Sequence, residues 1–136
     1  MKLFLDTNII IDVIANRQPW VREALILLEL AKRGRVTLIT SDYSFINVAY
    51  VTRKLYSKEE LCQLLKGLCN YIELVEVGRK VICEALENPW KDIEDCVQYL
   101  VAKREAVDVI LTRNEKDFLL SDIQVQNPSS FLNAVL

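Results

Sequence analysis

The sequence predicts an α/β fold: a three-layer α/β/α sandwich around a central parallel sheet of about five strands. Two observations predict it. Short apolar, β-branched runs alternate with longer segments of helical period, the pattern of parallel βαβ units with a sheet covered on both faces. The 136 residues are 51% apolar, enough for a substantial core, and three glycines and three prolines invite no cut, so a single domain over 1–136 is expected.

The elements follow in order. Leu3-Phe4-Leu5 is a short apolar run ending in Asp6-Thr7-Asn8, a buried strand turning into a helix. Pro19 suits a helix start, and Val21, Ala24, Leu25, Leu28 and Ala31 recur at helical spacing until Gly34, giving a helix over 20–33. Val36 to Ile39 is the second strand, with Ser41 or Asp42 as N-cap of a helix running to about Leu55. Ser57 and Glu60 form a capping-box signature ahead of Leu61, Leu64, Leu65 and Leu68. Tyr71 to Val77 is a third strand, and a helix from Arg79 to Glu87 stops at Asn88-Pro89. Asp92 or Ile93 opens a longer helix, Val107 to Leu111 is the fourth strand, and Thr112 to Asp117 is a polar corner. Ile123 and Val125 belong to a short last strand, and Pro128 fits the first turn of a closing helix.

Charge and composition exclude more than they assign. Seventeen Lys and Arg against nineteen Asp and Glu give −2, which argues neither for nor against nucleic acid, because clustering rather than the sum decides binding. Cys62, Cys69, Cys83 and Cys96 contain no Cys-x-x-Cys pair and read as reduced core residues, Cys62 and Cys69 sharing one helix face. The amino terminus lacks the uninterrupted apolar stretch of a secretory signal and no segment is long enough to span a membrane, so a soluble cytoplasmic protein is expected. The absence of histidine removes imidazole acid–base catalysis and most zinc sites.

In open parallel sheets, ligands bind beyond the carboxyl ends of strands. Three such corners are acidic: Asp6 after the first strand, Asp117 after the fourth, and Asp92, Glu94 and Asp95 at the start of the helix feeding the fourth. Carboxylates converging on one spot repel unless a cation lies between them, and hard divalent cations prefer oxygen ligands, so Mg²⁺ or Mn²⁺ is the expected occupant. Phosphodiester hydrolysis suits such a site in a chain without histidine. Each acid alone also has a purely structural use: Asp6 as an N-cap, Asp92 and Glu94 as partners of a helix macrodipole, Asp117 tying its own turn.

The stretches LDTNIIIDV (5–13), KDIEDCVQ (91–98) and LTRNEKDF (111–118) resemble, in order and at similar separations, the three acidic motifs of PIN-domain ribonucleases, and the resemblance spans nearly the whole chain. It points to VapC-like toxin nucleases, in a branch carrying asparagine at the second acidic position. The resemblance implies that Asp6, Asp95 and Asp117 bind the metal and are catalytic together with Asn47, which stands where most members place a glutamate. Asn8 would orient Asp6 and cap the following helix, Thr112 and Asn114 would shape the last corner or contact the metal water, and Asp92 or Glu94 would compensate for the charge missing at Asn47. Arg113, Lys116, Arg53 and Lys54 are the expected RNA-binding cations. The resemblance further implies single-stranded RNA as substrate, an antitoxin protein as inhibitor and a homodimer. The apolar helices over 24–31 and 61–68 could touch either partner, with core burial as their main use, and Trp20 and Trp90 are expected to pack rather than stack on bases.

Two rival readings remain open at this point. A phosphoryl-transfer enzyme of haloacid-dehalogenase or receiver type also places an aspartate after strand one, but Asn8 stands where such a phosphatase wants Asp. The other is a PIN-like scaffold, catalytically weakened at Asn47, that only binds RNA or protein.

Overall fold

Alternation along each strand decides which layer its residues join. The computed structural model describes residues 1–136. Strand β1 (Lys2–Leu5) leads into α1 (Thr7–Ile14) and α2 (Val21–Lys32), and β2 (Thr37–Ser41) into α3 (Asp42–Thr52) and α4 (Lys58–Leu68). Strand β3 (Ile72–Val75) leads into α5 (Arg79–Leu86) and α6 (Ile93–Arg104); β4 (Val109–Leu111), a 3-10 turn (Glu115–Phe118), β5 (Gln124–Gln126) and α7 (Pro128–Val135) complete the chain. The five strands form one parallel sheet in the order β3-β2-β1-β4-β5. Leu3, Leu5, Leu38, Val109 and Leu111 face one layer, packed with Ile10, Leu27, Val48, Leu61 and Phe131. Phe4, Ile39 and Ile110 face the other, against Val81, Ala85, Val97 and Val101. The expected α/β/α sandwich is therefore the observed one.

The order of strands creates the site. The chain adds β2 and then β3 on one side of β1, and later places β4 and β5 on the other. Connections from the carboxyl ends of β1 and β4 thus diverge, leaving a crevice between neighbouring strands, which is where open α/β sheets bind ligands.

Caps hold the helices at that edge. Ser41, not Asp42, caps α3, its hydroxyl accepting the Ser44 N–H at 3.0 Å, while the Asp42 carboxylate accepts the N–H of Val77. Ser57 and Glu60 form the expected capping box on α4, and Asn127 caps α7 with Pro128 in its first turn. The Asp92 carboxylate accepts the Asp95 N–H at 2.9 Å and so starts α6.

Several expectations are corrected. Helix α3 stops at Thr52 rather than near Leu55, β3 and β4 are shorter than 71–77 and 107–111, and the polar corner after β4 coils into a 3-10 turn that buries Phe118. Only Cys96 is a core residue; Cys62, Cys69 and Cys83 are exposed. Their spacing places Cys62 and Cys69, the C-cap residue of α4, on one stripe, but the core stripe is the adjacent one, carrying Leu61 and Leu68. Trp90 packs as expected, stacked on Tyr99 with centroids 4.9 Å apart and edge-on to Phe118. Trp20 is 44% exposed, with the Arg113 guanidinium over its ring. No helix is long and apolar enough to cross a membrane.

Candidate functional site

Asp6 is the residue at which β1 becomes α1, and the strand pairing puts it beside the end of β4, its N–H donating to the carbonyl of Leu111. One carboxylate oxygen accepts the Thr7 N–H at 2.9 Å and the other accepts the Thr112 hydroxyl at 2.7 Å. Thr112 is fully buried, and its Oγ1 in turn accepts the Asn114 N–H (3.0 Å) and the Asn8 side-chain amide (3.5 Å). The expected support of Asp6 by Asn8 therefore runs through Thr112. The capping of α1 belongs to Asp6 itself, so on that point the expectation for Asn8 is corrected.

The other acids reach Asp6 electrostatically. Burial pushes the Asp95 carboxyl up from 3.8 to about 7, assisted by the charges of Asp92, Asp6, Asp117 and Glu94. Burial also raises Asp6; the hydrogen bonds from Thr112 and Thr7 lower it, Asp117 raises it and Arg113 lowers it. Glu94 is raised by burial, lowered by its 3.3 Å hydrogen bond from Tyr43, and raised again by Asp92 and Asp6. Asp6, Asp95 and Asp117 thus repel one another across one region although 89 and 111 positions of sequence separate Asp95 and Asp117 from Asp6. As they stand, no three acidic side chains close into a preformed coordination shell.

The donor set suits a hard cation: carboxylate, hydroxyl and amide oxygens, with no histidine. The side-chain oxygen of Asn8 adds an orphan, since it is buried and has no hydrogen-bond partner. Mg²⁺ keeps several of its own waters and uses one or two carboxylates, so an open acidic corner fits it better than a closed cage would. An arrangement of this kind can hold a cation against a phosphate in a partly desolvated crevice.

Asn47 is half-buried on α3, one turn beyond Ser44, and its side chain makes no hydrogen bond to Asp6 or to the residues that hold it. The cations divide. Lys116 lines a cleft with Asp95 and Asp117. Arg113, expected to be available to RNA, is instead committed: its Nε and Nη2 donate to the two carboxylate oxygens of Asp12 at 2.8 and 3.1 Å. Arg53 folds back onto the carbonyl and ring of Tyr50. Arg53 and Lys54 follow the last turn of α3, roughly 16 Å along the helix from its capped end at the site. They do not belong to the acidic corner.

Two features escaped the sequence. Gln98 is fully buried: its Oε1 accepts the Ser41 hydroxyl at 2.8 Å, and its Nε2 donates to Thr7 Oγ1 at 3.4 Å and to the hydroxyl of Ser44. Thr7 also donates to Ser44 at 2.8 Å, so one amide ties α6, which carries Asp95, to α1, α3 and β2. The other is Asp12, 1% exposed and paired with Arg113. A lone amide within CVQYLVA and a lone carboxylate within NIIIDVI, both polar residues at core spacing, were the available signals.

Residues 2–116 match the family model of the PIN domain. The chain is 30% identical over 135 residues to "Ribonuclease VapC1" of Aquifex aeolicus (strain VF5), an overlap of 96% of this chain and 92% of that protein. Its fold is similar to that in the crystal structure of VapBC2 from Rickettsia felis bound to a DNA fragment from its promoter, with a TM-score of 0.68, 20% identity, and 93% and 98% of the two chains covered. It is also similar to Mycobacterium tuberculosis VapC20, a sarcin–ricin-loop-cleaving toxin, with a TM-score of 0.62, 11% identity, and 79% and 86% covered.

Proposed function

Because the chain belongs to the PIN-domain family and is a VapC-like ribonuclease, a phosphodiester hydrolase, we propose that it cleaves single-stranded RNA with Mg²⁺ or Mn²⁺ held by Asp6, Asp95 and Asp117. In this reading residues 1–136 act as one domain in the cytoplasm, as the toxin of a toxin–antitoxin pair. The observation that carries the site assignment is the convergence of like charge on Asp6. Acids from α6 and from the turn after β4 press on a buried carboxylate that two hydrogen bonds already hold in place. Such crowding is stable only with a cation present or a proton retained.

When bound, the ion polarises the phosphodiester and lowers the pKa of an adjacent water. The protein's own groups fix the geometry. Thr112 and the Thr7 N–H orient Asp6, Asp92 holds the first turn of α6 under Asp95, and Gln98 sets α6 against α1 and α3. Asn8 and Asn114 keep Thr112 in position, and the unpartnered side-chain oxygen of Asn8 would be a further acceptor for an ion held at this corner. The deciding experiment incubates purified protein with unstructured RNA: cleavage in Mn²⁺ or Mg²⁺, lost in EDTA and restored by excess ion, is expected, and cleavage indifferent to EDTA would sink the metal mechanism.

Asn47 favours a second reading, a module of this family weakened in catalysis, since an amide adds an oxygen but no charge at the site. In the branch assignment proposed here, Asn47 is a neutral ligand and Asp92 and Glu94 supply the missing charge. Asn47→Glu is then expected to tighten Mn²⁺ binding about tenfold by calorimetric titration, because affinity follows ligand charge. Unchanged affinity would place Asn47 outside the ion's surroundings. An antitoxin and a second copy of this chain remain the proposed partners. The exposed outer face of α3, with Tyr43, Ile46 and Tyr50, is more available to them than the core-facing residues of α2 and α4.

A further inference from the structure

Two clefts border the acidic corner, and they differ in charge. One, of about 400 Å³, is walled by Tyr43, Val77, Ile82 and Ile93 and carries Asp42 and Glu94 as its only charged residues. A polyanion meets only repulsion there. The other, of about 460 Å³, is shared directly by Asp95 and Asp117 and is walled by Trp90, Lys91, Lys116 and Leu120. Lys91 and Lys116 are exposed and make no ion pair or hydrogen bond, although two carboxylates line the same cleft. Trp90 is half-buried and held rigid by Tyr99 on its face and Phe118 at its edge. A fixed aromatic beside free cations is the usual platform for a single strand, since bases stack without sequence preference and phosphates take the charges.

We propose that the RNA strand passes from the acidic corner into the Trp90–Lys116 cleft, which holds the nucleotide next to the scissile phosphate. Lys91 and Lys116 each take one phosphate of the strand beyond the corner and Trp90 takes the base. The Tyr43–Ile93 cleft stays free of RNA. This rests on the ribonuclease reading of the same site and adds a direction to it.

The test uses the full chain and a short, unstructured, fluorescein-labelled RNA. Binding is followed by anisotropy in EDTA over a series of KCl concentrations, and cleavage is followed in Mn²⁺. Each lost phosphate contact lowers the slope of log affinity against log salt by about 0.7 for a single strand. Lys91→Gln and Lys116→Gln are each expected to show that loss with roughly a fivefold weaker affinity, and the double variant about twice the change in slope, the cleavage defect falling mainly on KM. Ile82→Ser, in the other cleft, is expected to bind and cleave as the parent does. A double lysine variant with the parent's slope and KM overturns the cleft assignment while leaving the ribonuclease reading standing. A parent that binds with the expected lysine dependence but cleaves nothing in Mn²⁺ upholds the cleft and removes the ribonuclease reading. Loss of binding in Ile82→Ser equal to that in the lysine variants would move the strand to the other side.

Discussion

Asp95→Asn is expected to reduce RNA cleavage by roughly 10²–10³-fold, the scale of removing one preorganised electrostatic group, and at the same time to stabilise the metal-free protein at pH 8. The two effects share one cause. In the folded chain the Asp95 carboxyl is pushed from 3.8 to about 7, first by burial and then by Asp92, Asp6, Asp117 and Glu94. Between about pH 4 and 7 the folded protein keeps a proton that the unfolded chain has released, so unfolding sheds protons and stability falls as pH rises through that window. Below about 4 both states are protonated at this group and nothing is lost. Above 7 the folded state carries the full repulsion. In EDTA the parent is therefore expected to melt several degrees lower at pH 8 than at pH 5, beyond any change in the variant, which has no carboxylate at 95 to ionise. Adding Mn²⁺ at pH 8 should raise the parent's melting temperature and leave the variant nearly unmoved. Parallel pH profiles for the two proteins in EDTA would show that Asp95 is not crowded in solution, and the metal site assignment would lose its main support.

Different physical origins separate what was legible in the sequence from what was not. Periodicity and capping are local, so the strand at Leu3 to Leu5, the capping box at Ser57 and Glu60, and Pro128 at the start of α7 all stand in the structure as expected. The acids at strand ends were legible because a parallel sheet delivers every such corner to one edge. The pairs that hold the corner in shape were not. Arg113 meets Asp12, 101 positions away, only because β4 lies beside β1, and no spacing rule encodes that neighbour. Arg113 read as a cation for RNA because its partner was out of sight. Gln98 closes the stretch KDIEDCVQ without an evident role, since a glutamine one turn after Asp95 gives no local sign that three hydroxyls wait for it on other elements. Cys96 is buried as expected, but Cys62 and Cys69 are not, for a simpler reason: seven-residue spacing says that they share one helix face, not that the face points inward.

Arg113→Ala is expected to destabilise the fold by about 3–5 kcal/mol, the range for breaking a buried ion pair from one side. The Asp12 carboxylate is 1% exposed, both its oxygens are bound by Arg113, and burial already raises its pKa despite that pairing. Removing the guanidinium leaves a buried carboxylate without a hydrogen-bonding partner, opposed only by the field of Arg17. The pair itself is a different matter, because desolvating two ions offsets most of their attraction. Asp12→Leu combined with Arg113→Met is therefore expected to recover most of the lost stability in urea denaturation, with m unchanged. Equal destabilisation in the single and double variants would mean that the pair contributes through packing on Trp20, 4.1 Å from the guanidinium, rather than through compensated charge. Activity then separates structure from function at the corner. Arg113 is flanked by Thr112, which holds Asp6, and by Asn114, which starts the turn carrying Asp117. If the ion pair serves only to pin that corner to α1, the stable double variant should cleave RNA nearly as well as the parent. If Arg113 also tempers the acidic field, as its lowering of the Asp6 pKa indicates, the double variant will fold well and bind Mn²⁺ more tightly than the parent.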